Sequence, residues 1–176
     1  MIIWITGISG SGKTTIAREL ISMFKKFFPE MVNIDGDEIR ELYGNDLGYE
    51  EKDRIIQIKR IQRLCLLLEK QNLLVLVSTL YSSDELLAWN RKNFKEYYEI
   101  YLDAPIELVE KRDVKGLYKR AKNGLESNVV GVDICWNKPQ NPNLTINFNS
   151  NISLEKTIEK IIDVIPIFKS KMENNS

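Results

Sequence analysis

Eight residues near the start, Gly7-Ile8-Ser9-Gly10-Ser11-Gly12-Lys13-Thr14, constrain this chain more than any other stretch. They follow the apolar run Ile2-Ile3-Trp4-Ile5 and precede a helical pattern that continues to Phe27. The order is strand, glycine-rich loop, helix, with the spacing G-x-x-x-x-G-K-[ST] inside it. Glycines at 7, 10 and 12 let the backbone curl around an anion and turn its N–H groups inward. The helix N-terminus adds partial positive charge at the same place. The phosphates of a nucleoside triphosphate are the expected guest, held by Gly7, Ser9, Gly10, Ser11, Gly12, Lys13, Thr14 and Thr15. Lys13 has the reach for the β- and γ-phosphates, and the Thr14 hydroxyl suits Mg²⁺.

Charge and composition exclude several alternatives. Lys plus Arg and Asp plus Glu are 25 each, so the net charge is zero. A nucleic-acid or membrane-surface binder carries a basic excess, and this chain has none. It also has no histidine, which removes imidazole acid–base chemistry and His-ligated metals. A proton acceptor must then be a carboxylate, Lys, Tyr or Cys. Cys65 and Cys135 form no metal-ligand spacing, and Cys65 sits in an apolar run that reads as core. The first strand runs straight into the loop, unlike a signal peptide, and no apolar run reaches membrane-spanning length. The expectation is a soluble cytoplasmic protein.

Alternating periodicities predict an α/β fold. Strands are expected at 2–6, 31–35, 73–77, 97–103 and 144–147, and helices at 13–27, from 36, at 51–71, at 83–93, from 105 to about 111, and at 153–168. In the long helix, Ile55, Ile58, Ile61, Cys65 and Leu68 share a stripe. The pattern implies a P-loop NTPase-type parallel sheet with helices on both faces and right-handed crossovers. One domain is expected over 1–168, with a frayed polar tail over 169–176. Residues 112–142 interrupt the alternation, and an excursion of that length suits a lid.

In such a sheet, ligands gather at the carboxyl ends of the strands. Asp35-Gly36-Asp37, Ser78 and Thr79 all belong to that rim. Phosphoryl transfer to a hydroxyl needs a carboxylate near the nucleophile and a metal between the phosphates. Asp37 is assigned as proton acceptor and Asp35 to the Mg²⁺ water shell, with Gly36 allowing the tight turn. An N-capping turn is the competing reading of the same three residues. Arg40 and Arg54 suit an anionic acceptor, whereas Lys59 and Arg60 read as a solvated helix face. The lid opens on Arg112, Lys115, Lys119 and Arg120 around Gly116, cations able to close over a triphosphate.

These segments resemble adenylylsulfate kinases. The resemblance rests on Ile3 to Thr15, Asp35-Gly36-Asp37 with Arg40, Asp53-Arg54, Asp103-Ala104-Pro105, Arg112-Asp113 with Lys115-Gly116-Leu117-Tyr118-Lys119, Gly131-Val132-Asp133 and Asn141-Pro142. It implies ATP- and Mg²⁺-dependent phosphorylation of a nucleotide ribose 3′-hydroxyl, in a homodimer. Lys13 and Asp37 would be catalytic, and Arg112 would join the ATP contacts. Asp37, Arg40, Tyr49, Arg54, Gln57, Ser78, Thr79, Leu80, Tyr81, Lys119 and Val129 would contact the acceptor, and Thr14 and Asp35 would serve the metal.

The departures from the family cluster on the acceptor side. The family typically reads Ile-Ser-Pro, an aromatic and an Arg where this chain has Leu80-Tyr81-Ser82-Ser83-Asp84. Its Asn is Gln57 here, its adenine-stacking Phe is Val129, and its Asp-Pro-Tyr is Ile134-Cys135-Trp136. An aromatic platform contributes roughly 1–3 kcal/mol of base stacking, so its loss fits a different base. A branch of the family, associated with bacterial surface-polysaccharide synthesis, acts on cytidine diphosphoramidate. That acceptor is expected ahead of adenylylsulfate, with Asp84 facing its amino groups. The reading from another class, a nucleotide-binding regulatory module, leaves Asp37 without a task.

Overall fold

The structure, a computed structural model, describes residues 1–113, 116–148 and 152–174. Ile2-Ile3-Trp4-Ile5 is apolar on both faces because the strand it forms is central and covered on both sides. Strand β1 (Ile2–Thr6) leads through the loop into α1 (Lys13–Phe24), then β2 (Met31–Asp35) and α2 (Gly36–Leu42). Helix α3 (Glu51–Lys70), β3 (Leu74–Thr79), α4 (Asp84–Asn93) and β4 (Tyr97–Asp103) follow. Helices α5 (Ile106–Arg112) and α6 (Leu117–Lys122), β5 (Leu144–Asn147), α7 (Leu154–Val164) and α8 (Pro166–Glu173) complete the order. The sheet runs β2-β3-β1-β4-β5, all pairs parallel.

The period of two along the strands sorts the core. Ile2, Trp4, Val75 and Val77 join Ile58, Ile61 and Cys65 of α3 and Leu86 and Leu87 of α4 on one face. Ile3, Ile5, Leu74 and Leu76 join α1, α7 and α8 on the other. Helices therefore cover both faces, as the alternation requires. Cys65 is buried and its thiol is pushed up to about 12 by burial, a core residue with no thiolate chemistry.

Four boundaries differ from the sequence expectation. Helix α1 stops at Phe24, and the Lys25 ammonium then bonds the carbonyls of Pro29 and Met31, drawing the chain into a turn. Strand β3 continues through Ser78 and Thr79, whose partners Asp35 and Thr6 extend the ladder to the rim. The last helix is two. Pro166 disfavours helical geometry at Ile165, which adopts φ −105° and ψ 104°, and then begins α8. Nor is 169–173 frayed: α8 runs to Glu173, and its Phe168 ring stacks on Phe24 at 4.1 Å. Residues 175–176 lie outside the described residues.

The excursion is more ordered than its sequence. Asp113 accepts from the backbone N–H groups of Tyr118 (3.2 Å) and Lys119 (3.0 Å), capping α6. Asp133 accepts from the N–H groups of Asn128 and Val129, closing a turn in which the Val129 carbonyl takes the N–H groups of Val132, Asp133 and Ile134. Farther on, Lys138 pairs with Asp103 at 3.0 Å, and Trp136 donates to the Tyr101 hydroxyl. Lys115 lies outside the described residues.

Candidate active site

A cavity of about 640 Å³ opens over the carboxyl ends of β1, β2 and β3. The loop forms its floor. Gly10 and Gly12 have φ of +76° and +97°, a region that L side chains rarely adopt. A Cβ on Gly7 would lie 2.8 Å from the Leu102 carbonyl oxygen, so the loop is wedged against β4. Ser9, Gly10, Gly12, Lys13, Thr14 and Thr15 line the cavity, while Gly7 and Ser11 are buried beneath the lining. The Lys13 ammonium donates to the Gly7 and Ile8 carbonyls, both at 2.8 Å, which curls the loop around it. Neither Ser9 nor Gly10 uses its N–H on an acceptor among the described residues. Inward donors without partners are what an anion cradle requires.

Beside the loop, the Thr14 hydroxyl donates to Asp35 Oδ2 at 2.7 Å, while Asp35 Oδ1 accepts from the Asp37 N–H at 2.9 Å. The capping reading thus applies to Asp35, and Asp37 projects from the first turn of α2 into the cavity wall. Gly36 has no positive φ. Its place depends on close approach, since a Cβ there would sit 3.3 Å from the Ser78 carbonyl oxygen. The donor set at this corner suits Mg²⁺. Thr14 and Asp35 offer hard oxygens, and no group of three or more His, Cys, Asp or Glu occurs among the described residues. Such a site matches an ion held by one or two protein oxygens, phosphate and water.

The opposite wall is cationic. Arg40 and Arg54 are 7% and 9% exposed, and both guanidinium groups lie on the Tyr49 ring, at 4.6 and 5.6 Å. Arg40 donates to the carbonyls of Leu47 and Gly48 (2.9 Å each). Arg54 donates to those of Tyr49 (2.9 Å) and Asn128 (2.5 Å). Neither has a carboxylate at salt-bridge distance among the described residues. Burial, reinforced by the Arg40 charge, pushes the Arg54 guanidinium pKa down. Two buried like charges with no carboxylate at salt-bridge distance among the described residues gain from an anion between them. This wall therefore asks for an anionic ligand beside the loop.

Gln57, Ser78, Thr79, Leu80, Tyr81 and Val129 line the same cavity. Gln57 donates to the Gly36 carbonyl at 3.2 Å, and Tyr81 donates to Glu51 at 2.6 Å. The Ser78 and Thr79 hydroxyls are buried without a partner among the described residues, ready for solvent or ligand.

Three expected residues stand elsewhere. Arg112 lies over the Phe148 ring at 5.7 Å and is not part of the lining, because α5 turns it outward. Lys119 lines a separate charged cleft between α5 and α6, since Asp113 fixes the start of α6. Asp84 starts α4 behind its cap Ser83 and also stays out of the cavity, so it faces no acceptor there. Arg60 pairs with Asp46 at 2.7 Å on the surface, as a solvated face should. Tyr118 and Asn128, which the sequence reading passes over, line the cavity from the 112–142 excursion. An aromatic residue inside a basic, glycine-led stretch was the available signal for the first. For the second there was no local signal: Asn128 stands at φ 62° in the turn that Asp133 closes.

A phosphate cradle, a carboxylate and a cationic wall in one cavity on a parallel sheet define a P-loop kinase acting on a small anionic molecule. The particular family is narrower. Residues 1–147 match the family described as adenylylsulphate kinase, and the chain belongs to it. The chain is 40% identical over 161 residues to a cytidine diphosphoramidate kinase of Campylobacter jejuni, covering 92% of this chain and 94% of the relative. It is 34% identical to an adenylyl-sulfate kinase of Clostridium kluyveri, covering 94% and 83%. Its fold matches the Mycobacterium tuberculosis APS kinase solved with AMPPNP and APS, with a TM-score of 0.84 at 30% identity, covering 93% and 95%. It is a phosphotransferase with a hydroxyl acceptor, ATP being the substrate common to the family. No helix among the described residues is long and apolar enough to cross a membrane.

Proposed function

We propose that this chain transfers the γ-phosphoryl group of ATP to the ribose 3′-hydroxyl of cytidine diphosphoramidate, with adenylylsulfate as the competing acceptor. One observation carries the choice. Val129, 3% exposed, is a cavity-lining aliphatic residue where the resemblance expects an adenine-stacking Phe. The name of the Campylobacter jejuni relative points the same way.

In this reading the loop amides and Lys13 hold the donor phosphates, while Arg40 and Arg54 receive the acceptor's phosphate groups. Thr14 and Asp35 would hold magnesium, which would neutralise charge on the phosphates when bound. Asp37 accepts the hydroxyl proton as the 3′-oxygen bonds to the γ-phosphorus and the bond to the β-phosphate oxygen breaks. Lys119 reaches the acceptor only if α6 shifts. The same proposal covers a cytoplasmic homodimer serving surface-polysaccharide synthesis, and light scattering measures its mass.

The test compares both acceptors side by side at saturating ATP and Mg²⁺. We expect kcat/KM for cytidine diphosphoramidate to exceed that for adenylylsulfate by at least about tenfold, equivalent to roughly 1.4 kcal/mol. A preference for adenylylsulfate would assign the family's ordinary activity instead.

A further inference from the structure

Tyr118 is an aromatic side chain of the lid that reaches the phosphate loop. It lies in the first turn of α6, is 2% exposed, and its hydroxyl donates to the Ser9 carbonyl at 2.9 Å. The bond joins residues 109 positions apart. Burial, with the nearby carboxylates of Asp113 and Glu110, pushes the phenol up to about 12, so it stays a donor across the working range of an enzyme. Asp113 fixes the residue's backbone by accepting its N–H at 3.2 Å.

The Ser9–Gly10 peptide is trans. In a trans peptide the carbonyl and the following N–H point in opposite directions. Fixing the Ser9 carbonyl therefore also fixes the direction of the Gly10 N–H. That N–H donates to no acceptor among the described residues and belongs to a residue that lines the cavity. The Ser11 N–H donates to the Ile8 carbonyl at 3.2 Å and closes a turn whose central peptide is Ser9–Gly10; that bond does not itself hold the Ser9 carbonyl, and Gly10 has φ +76° and no side chain. Val109 of α5 stands 3.3 Å from where a Cβ would be. The central peptide of a turn, a buried donor on its carbonyl and an N–H with no acceptor among the described residues form one device.

We propose that Tyr118 is a positioning residue for the donor nucleotide. Its hydroxyl holds the Ser9–Gly10 peptide so that the Gly10 N–H meets a phosphate oxygen of ATP. The inference rests on the reading of the loop as the ATP phosphate site. It adds that the cradle is completed by the lid rather than by the loop alone. An amide already aimed at its ligand loses less freedom on binding, so the hydroxyl contributes to ATP affinity without touching ATP.

Tyr118→Phe removes the hydroxyl and keeps the ring. Calorimetry with AMPPNP and Mg²⁺ should give a Kd raised about threefold to tenfold, the range of one net hydrogen bond. The KM for ATP should rise by the same factor, and the KM for the acceptor should stay within about twofold. The Gly10 amide resonance of the nucleotide-free protein should move as well. Parent-like AMPPNP affinity, equal losses for both substrates, or an unmoved Gly10 resonance would each overturn the inference. Failure of the parent protein itself to bind AMPPNP would instead remove the loop reading. Should the Phe variant not fold, difluorotyrosine at 118 keeps the ring and hydroxyl but ionises at lower pH. Its AMPPNP affinity should then fall as pH rises through that ionisation, beyond any change in the parent, because a phenolate cannot donate to a carbonyl. A pH profile identical to the parent's would also overturn the inference.

Discussion

The floor of the cavity and the wall across from it are built in opposite ways. The floor is one continuous stretch, 7–15, whose shape comes from glycine backbone and from the lysine that curls it. The wall is assembled from separate places: Arg40 on α2, Tyr49 between α2 and α3, Arg54 and Gln57 on α3, Tyr81 after β3 and Val129 in the turn closed by Asp133. Side chains bonded to distant backbone hold these pieces together. The Arg54 link to Asn128 alone spans 74 residues. A continuous, backbone-made site changes only as a whole. A wall assembled from distant side chains can change one residue at a time, so a family can keep its phosphoryl donor while altering its acceptor.

The largest effect should come from the floor. Lys13→Ala should remove turnover, since the loop loses both its point charge and its two carbonyl bonds. Circular dichroism should match the parent, because Lys13 is the first residue of α1 and not a core residue. Substantial remaining kinase activity would break the assignment of the floor to the donor.

Next comes the carboxylate between the two regions. Asp37→Asn keeps the size and loses proton acceptance, and should lower kcat by about 10²–10⁴ with ATP affinity near the parent's. The N-cap of α2 is Asp35, so the substitution leaves that cap in place. Normal turnover in the Asn variant would leave Asp37 without a catalytic role.

The comparison between floor and wall also governs what the sequence made legible. Strands β4 and β5 are read to the residue because their apolar content and length leave little choice. The loop is legible because its chemistry is local, and so are Asp35 and Asp37 at a strand end. Pro166 was visible in the sequence, yet the apolar period runs through it, and that hid the break between α7 and α8. The wall was reached partly through family resemblance. Nothing local states that Arg54 bonds Asn128, that Asp133 closes the Val129 turn, or that α5 turns Arg112 toward Phe148. Asp84 shows the cost of reading a neighbour in sequence as a neighbour in space. It follows Tyr81 by three residues, yet the start of α4 carries it out of the cavity.

A smaller effect should isolate the wall. Arg54→Ala removes a charge-assisted donor and one anchor of the lid, whose net value is about 1.5–3 kcal/mol. The acceptor KM should rise about tenfold to a hundredfold while the KM for ATP moves much less. Arg54→Lys should recover only part of the loss, because an ammonium lacks the fork that serves Tyr49, Asn128 and an anion together. If both substrates weaken equally in the Ala variant, floor and wall are not energetically separate.

The smallest expected effect asks whether one wall residue selects the base. Val129→Phe returns an aromatic ring to the cavity wall. Val129 is 3% exposed, so the larger ring must project into the cavity or strain the turn that Asp133 closes. Strain from overpacking costs typically 1–3 kcal/mol and appears as a lowered Tm. A ring projecting into the cavity supplies stacking of similar size to a bound base, and a purine gains more from it than a pyrimidine because it offers a larger face. The ratio of kcat/KM for adenylylsulfate to that for cytidine diphosphoramidate should therefore move toward adenylylsulfate by about tenfold, the equivalent of roughly 1.4 kcal/mol. The ratio is the quantity to follow, because strain common to both complexes cancels in it. A lowered Tm with an unchanged ratio would mean that Val129 only fills space, and base selection would then have to be sought at Tyr81 and Gln57.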